Sequence, residues 1–333
     1  MTTPQYETLD DATVIQLAHS ALARYPTLKE AELQLICRSE NATFRVDAKG
    51  HHYALRLHRG HYHQKQVIES ELLWLDALRS EGIQVPEALF DAEGERVQTL
   101  LLPSGEQRYA VIFHWVAGDM LTNSIEPQVF QPLGEITARL HQHSQRWSQP
   151  DGFKRIVWDH ASMVGAEGHW GDWRMAPGLQ CHDNAVIEEA LQRIGDDMAA
   201  FGQAPLRYGL IHADLRLTNL LRHQGETRVI DFDDCGMGWY LHDLAAAISF
   251  EEHHPNAAAW VDHWLTGYER VMHIDDHAIA MIPSFIMQRR IQMTAWVASH
   301  AQTEMARSLG QDWTQHTVRL CRRYLASSMP IGV

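Results

Sequence analysis

Residues 209–243 read GLIHADLRLTNLLRHQGETRVIDFDDCGMGWYLHD. Leu210 and Ile211 lead into His212, and Leu220 and Leu221 follow Asn219, so the polar groups between them lie on a loop with an apolar anchor at each end. Loops of this kind carry function when a rigid scaffold positions them. His212 and Asp214 share one turn, and Asn219 follows within the same loop. Beyond a turn at residues 223–226, residues 228–232 read as a second strand with Asp231 at its end, and Gly225 between the two runs predicts a hairpin.

This set of groups suits the transfer of a phosphoryl group, which asks for an oriented hydroxyl and a neutralised triphosphate. An aspartate within reach of the acceptor hydroxyl orients it and takes its proton late, the part that suits Asp214. Magnesium takes oxygen ligands, commonly one or two protein groups plus phosphate and water, and Asn219 and Asp231 supply two such groups. Taken singly, His212 is equally a satisfied core histidine and Asp214 the cap of a turn through Thr218 and Asn219. Taken together, their order along the chain is that of a kinase.

The segment resembles the aminoglycoside phosphotransferase and choline kinase superfamily. The catalytic loop of that family reads His-x-Asp-x-x-x-x-Asn and its metal loop Ile-Asp-Phe/Trp-Asp/Glu; here stand IHADLRLTN and VIDFDD, followed by HDLAAAI. The resemblance implies an α+β, protein-kinase-like two-lobed fold, with an antiparallel-sheet N-terminal lobe over residues 1–116 and a mainly helical C-terminal lobe over residues 117–333. It implies ATP and Mg2+ as cofactors, Asp214 as catalytic base, His212 as the prop of the loop, and Asn219 and Asp231 as metal ligands. Asp233 is implied as a second metal or acceptor contact, and Asp243 as the residue that stabilises the C-terminal lobe. Only its position recommends Asp234.

The N-terminal part fits the same frame. Residues 13–25 carry a helical apolar stripe, with Asp10 or Asp11 near its start. Residues 33–37, 42–47 and 53–58 read as three strands of a small antiparallel sheet. By resemblance, the turn between the first two covers the nucleotide phosphates, with Ser39 and Asn41 as contacts; it contains no glycine, and backbone amides can still cradle phosphate from such a turn. The third strand, YALRLHR, carries Arg56 where the family carries a lysine that clamps phosphate. Arginine keeps the charge in a planar fork of different shape. Residues 64–79 read as an amphipathic helix whose Glu69 and Glu71 are both candidates to pair with Arg56, and the family register favours Glu71. The run ending FHWVAGDML resembles the family's hinge, which places Phe113 behind an adenine base and gives His114 and Val116 main-chain contacts to it.

Farther on, residues 127–143 and 183–201 read as helices, as do 255–272, 278–301 and 313–327 after Asp243. Residues 147–177 are irregular and rich in tryptophan, which suits either a wall of the acceptor site or a cap over core. Arg289 and Arg290 sit beside Met287, Met293 and Trp296. That stripe reads as core, and the basic pair reads either as a contact to an acidic acceptor or as groups facing solvent or a salt partner.

The chain of 333 residues is ample for a two-lobed enzyme, and its composition is that of a globular protein. A net charge of −14 argues against a nucleic-acid partner bound through its phosphates. No apolar run reaches membrane-spanning length, the start MTTPQYETLDD lacks the apolar core of a secretory signal, and the four cysteines lie far apart, so a cytoplasmic setting is expected. The expected activity is ATP-dependent phosphorylation of a small hydroxylated amine or amino acid. ENATFRV with YALRLHR is similar to the branch holding homoserine kinases, hydroxylysine kinases and a bacterial stress-response Ser/Thr kinase, so a protein acceptor is the runner-up. A silent ATP-binding module is the rival that Arg56 and the glycine-free turn suggest.

Overall fold

The computed structural model describes residues 9–38, 40–121 and 126–332; Ser39 lies outside them. Helix α1 (Asp11–Leu22) begins where Asp10 accepts a hydrogen bond from the Thr13 N–H at 2.7 Å, and it buries Val14, Leu17, Ala18, Ala21 and Leu22. Strands β1 (Glu32–Arg38), β2 (Ala42–Ala48) and β3 (His51–Leu57) follow, then α2 (Lys65–Ser80), β4 (Gln98–Leu101) and β5 (Gln107–His114). They form one antiparallel sheet in the order β1-β2-β3-β5-β4. Phe44, Val46, Leu55 and Ile112 from its strands pack with α1. Helix α2 joins a second core instead, in which Trp74 meets Phe232 edge-on at 5.6 Å.

The chain leaves the sheet through β6 (Asp119–Met120) and enters α3 (Phe130–Arg146). The tryptophan-rich stretch holds β7 (Ile156–Trp158) and α4 (His160–Val164) and leads to α5 (Cys181–Phe201). Then come β8 (Tyr208–Ile211), β9 (Leu220–His223), β10 (Glu226–Val229), β11 (Gly236–Trp239) and α6 (Leu241–Ala247), and finally α7 (Ala257–Tyr268), α8 (Asp276–Ser299), α9 (Glu304–Ser308) and α10 (Gln311–Leu325). Two small sheets, β10-β9-β6 and β7-β11-β8, carry the loops of interest. The expected α+β architecture is present, with the five-stranded sheet in the first part of the chain and most of the helices after it.

Helices α3 and α7 meet through glycines: a Cβ on Gly134 would stand 2.0 Å from the Trp264 carbonyl oxygen, and one on Gly267 would stand 1.9 Å from that of Gln131. Helix α8 is buried on nearly every side, from Met281 to Val297, the signature of a helix running through a core rather than along it. Among its buried side chains are Arg289 and Arg290. Neither faces solvent or awaits an acidic ligand. Arg289 bonds Asp214 and Arg290 pairs with Glu252, so of the readings open from sequence the salt-partner one is correct.

Two features differ from expectation. The hairpin after Asn219 forms, closed by Gln224 and Gly225 at φ 50° and 85°, the paired left-handed turn that matches strand twist. Its second strand stops at Val229, because Asp231 adopts φ 67° and cannot continue a ladder. Helices α4, α6 and α9 add to those expected. In the tryptophan-rich stretch Trp158 and Trp173 are core, and Trp170 also lines a cleft.

Candidate active site

The loop between β8 and β9 is held from behind by Asp243 on α6. One carboxylate oxygen accepts the His212 N–H at 3.1 Å and the other the Ala213 N–H at 2.7 Å; His141 donates to the first at 2.9 Å. These bonds fix Ala213 at φ 69°, a strained value for a residue with a side chain. His212 is wholly buried and donates from Nε2 to the Ile230 carbonyl at 3.0 Å, leaving Nδ1 to accept the Asp214 N–H at 3.3 Å. Burial pushes its pKa down, so the ring is a neutral strut between the two loops.

Asn219 donates through Nδ2 to the Asp214 carbonyl at 2.8 Å, and its own main-chain carbonyl accepts the Ile230 N–H at 3.0 Å. Asp231, on the bend after β10, is thereby brought beside Asn219, as the sequence spacing requires. Asp214 accepts from Arg289 Nη2 on Oδ1 at 2.6 Å and from Arg216 Nη2 on Oδ2 at 3.2 Å. Burial would raise the Asp214 carboxyl, but Arg216 and Arg289 hold it below the usual range. Asp231 shows the opposite balance: burial and then the neighbouring Asp233 push it up to about 7, with Arg56 offsetting only part. Asp231 is thus an aspartate crowded by like charge and open to a cleft, which fits a cation ligand.

Asp233 is engaged differently. Its Oδ2 accepts from Asn41 at 2.8 Å, its Oδ1 lies 3.3 Å from His58 Nδ1 and 3.9 Å from Arg56 Nη1, and its carbonyl accepts from His63 at 2.9 Å. Despite burial, Arg56 and then His63 hold its carboxyl well below the usual range. Arg155, which no motif signals, binds the carbonyls of Val67 and Cys235 at 2.8 and 2.6 Å and so fastens this loop to α2. Asp234 accepts from the Tyr62 hydroxyl at 2.7 Å.

On the sheet side, Arg56 Nη2 donates to both oxygens of Glu71 at 2.8 Å, while Glu69 lies 3.5 Å from Lys65 at the surface. That settles which glutamate faces Arg56. A cavity of ≈ 360 Å³ is lined by Ile36, Phe113, Val116, Leu221 and Phe232 together with Asn219 and Asp231. The His114 N–H is taken by the Glu87 carbonyl at 2.9 Å and the Trp115 N–H by that of His52 at 3.2 Å. Of its two main-chain groups His114 therefore keeps only its carbonyl for a ligand, and Val116 lines the same cavity. Asn41 accepts the Arg59 N–H at 3.1 Å. Beside it Glu40, unremarked in the sequence, accepts from Trp296 Nε1 at 2.6 Å and so joins the β1–β2 turn to α8.

A second cavity, of ≈ 170 Å³, is lined by Glu40, Trp170, Asp214, Asp234 and Trp296. It shares Thr43, Arg56 and Asp231 with the first, so the two meet between the Arg56 guanidinium and the Asp231 carboxylate. The structure brings Asp214, Asn219, Asp231 and Arg56 to the walls of these two cavities. Sequence reasoning missed Glu40, Arg155 and Arg216, and left Asp234 and Arg289 without a part.

Comparison with known proteins agrees with this geometry. The family described as "Phosphotransferase enzyme family" matches residues 37–280. The solved structure of the microcompartment-associated aminopropanol kinase has a TM-score of 0.87 and 40% identity, covering 94% of this chain and 98% of that one. The amicoumacin kinase hAmiN, solved with AMP-PNP, Ca2+ and Ami, has a TM-score of 0.77 and 23% identity, covering 97% and 95%. Amicoumacin kinase of Bacillus subtilis (strain 168) is 21% identical over 288 residues, 83% of this chain and 82% of that protein. A family match over most of the sequence and a kinase relative alike from end to end agree with a cleft built around Asp214, and the chain belongs to the phosphotransferase enzyme family.

Proposed function

We propose that this enzyme uses ATP and Mg2+ to phosphorylate the hydroxyl of a small amino alcohol or hydroxylated amino acid. The observation that carries the acceptor class is the ≈ 170 Å³ cavity, which puts the Glu40 and Asp234 carboxylates and the Trp170 and Trp296 rings around Asp214. Carboxylates with aromatic walls suit an ammonium group. A volume below the ~300 Å³ where drug-sized sites begin suits a small molecule rather than a polypeptide. The likeness to the aminopropanol kinase supports the same reading.

In this reading the lobes divide after residue 116. Adenine lies in the larger cavity, against the Val116 N–H and the His114 carbonyl with Phe113 behind it. Arg56, oriented by Glu71, clamps the phosphates, and Asn41 lies under the turn that covers them. Asn219 and Asp231 would hold magnesium, with Asp233, whose Oδ2 accepts from Asn41, as a second contact. Magnesium bound there would neutralise the charge on the phosphate oxygens. Asp214 orients the acceptor hydroxyl, whose oxygen bonds to the γ-phosphorus as the bond from that phosphorus to the β–γ bridging oxygen breaks. ADP leaves, and the hydroxyl proton passes to Asp214. A carboxylate offers about four acceptor sites, so Asp214 can receive the hydroxyl while Arg289 and Arg216 remain bonded.

Among the described residues no helix is long and apolar enough to cross a membrane, and all four cysteines are free. Both fit the proposed cytoplasmic setting. The test is a screen of purified protein with Mg2+ and ATP against small amino alcohols, with Ser/Thr peptides as the alternative acceptors. Asp214→Asn should lower turnover by roughly a hundredfold or more with nucleotide binding retained. Preference for peptides would favour a protein kinase. Equal background turnover in both forms across every acceptor would favour a silent module.

A further inference from the structure

A third cavity, of ≈ 400 Å³, adjoins the acceptor cavity. Its floor is a stack of rings, His254 on Trp260 at 4.7 Å and Phe130 on Trp260 at 5.2 Å, and Ala247, Ile248 and Leu309 line it further. Arg216, Phe250 and Met305 line both cavities and therefore form the partition between them. Two of these are held in place. Arg216 bonds Asp214 and lies over the Phe250 ring at 5.5 Å, and Phe250 packs edge-on against Trp296 at 5.5 Å. Met305 is the member free to yield: it is an unbranched thioether, 39% exposed, on the short helix α9.

An open apolar hollow that shares wall residues with a polar site marks a place for the apolar part of the same ligand. We propose, building on the amino-alcohol reading, that this third cavity receives an alkyl substituent of the acceptor. Met305 stands at its entrance and sets the chain length the enzyme accepts. The amine and hydroxyl ends stay among Asp234, Glu40 and Asp214, and the tail passes Met305 onto the Trp260 stack. The site thereby distinguishes acceptors that share a head group and differ only in their tail.

The test uses a series of amino alcohols with alkyl tails lengthening from methyl to hexyl, and a matched series of alkylamines that lack the hydroxyl. Turnover is read as kcat/KM for the first series and binding as Kd for the second, both with the full chain. Each buried methylene is worth up to about fourfold in affinity. Met305→Ala should shift the kcat/KM ratio of the longest to the shortest acceptor roughly tenfold toward the longest. Leu309→Trp, which fills the cavity, should cancel the gain per methylene. Long and short acceptors responding equally to both variants, with unchanged melting temperatures, would overturn the subsite. If no amino alcohol is turned over yet alkylamine binding depends on Met305 and Leu309 as stated, the acceptor reading fails and the subsite stands.

Discussion

Arg289 donates from Nη2 to Oδ1 of Asp214 at 2.6 Å, so the carboxylate at the centre of the cleft is fixed by a guanidinium that is itself wholly buried. The same guanidinium donates from Nε to Ser249 at 2.9 Å and lies over the Trp170 ring at 5.1 Å. Helix α8 thus positions the proposed base through a side chain far from it in sequence. Arg216 and Arg289 both lower the Asp214 pKa against the effect of burial. A depressed pKa means the carboxylate stays ionised as pH falls, so removing one cation must raise the pH at which it is protonated. In Arg289→Met the acid limb of the pH–kcat profile should move to higher pH, with kcat down about tenfold to a hundredfold. An acid limb left in place would show that Arg289 has only a packing role.

Arg56 makes its bond to Glu71 in a way that explains why an arginine serves at this position. A single nitrogen, Nη2, reaches both carboxylate oxygens at 2.8 Å, as a lysine ammonium would. The rest of the fork is used elsewhere: Nε donates to His58 at 3.3 Å, and Nη1 approaches Asp233 at 3.9 Å. Arg56→Lys should therefore keep the Glu71 pair and most of kcat while raising the KM for ATP several-fold. Arg56→Met leaves Glu71 buried without its partner and should cost about 3–5 kcal/mol of stability. Steady-state kinetics with ATP varied, beside a denaturant melt, separate the two effects.

What the sequence made legible follows from how local each feature is. His212, Asp214 and Asn219 lie within one loop, so their spacing fixes their mutual geometry, and the strand alternation of Tyr53, Leu55 and Leu57 puts Arg56 on a definite face. Arg289 was ambiguous because α8 is buried all round, and a helix without a polar face gives no phase from which to say what an arginine on it meets. Asp231 reads as part of the strand because Val229 and Ile230 extend the apolar run; the left-handed bend that ends it depends on the Ile230 N–H meeting the Asn219 carbonyl across the hairpin. The Glu40 bond to Trp296 joins residues from opposite ends of the chain and has no local signal at all.

The contact between α3 and α7 makes a prediction about stability alone. A methyl on Gly267 would stand 1.9 Å from the Gln131 carbonyl oxygen and 3.0 Å from the Glu135 N–H nitrogen, and both are helix backbone that cannot rotate aside. Gly267→Ala must push the two helices apart and open contacts along the pair. We expect a loss of about 2 kcal/mol or more, against the gain in helix propensity that alanine brings at an open position. A melting temperature equal to that of the parent would contradict the close approach.

Asp243 supplies the last prediction, because it links the fold to the pH dependence of the active loop. It is wholly buried, and its carboxylate accepts the His212 and Ala213 N–H groups and the His141 imidazole. Burial pushes its pKa up, but the hydrogen bond from His141 brings it below the usual value. A carboxylate with a depressed folded-state pKa stabilises the fold fully above its unfolded pKa, near 3.9 for a free aspartate, and loses that contribution as pH falls through the lower folded-state value. Asp243→Asn removes the charge at every pH and turns an NH2 toward a donor it must instead accept from. The expected loss is about 2–4 kcal/mol, from charged hydrogen bonds worth roughly 1.5–3 kcal/mol each. Ala213, no longer held at φ 69°, should relax and carry Asp214 with it, so kcat should fall further than the KM for ATP rises. The parent's stability should decline below about pH 4 more steeply than the variant's, and parallel acid melts of the two would refute this role for Asp243.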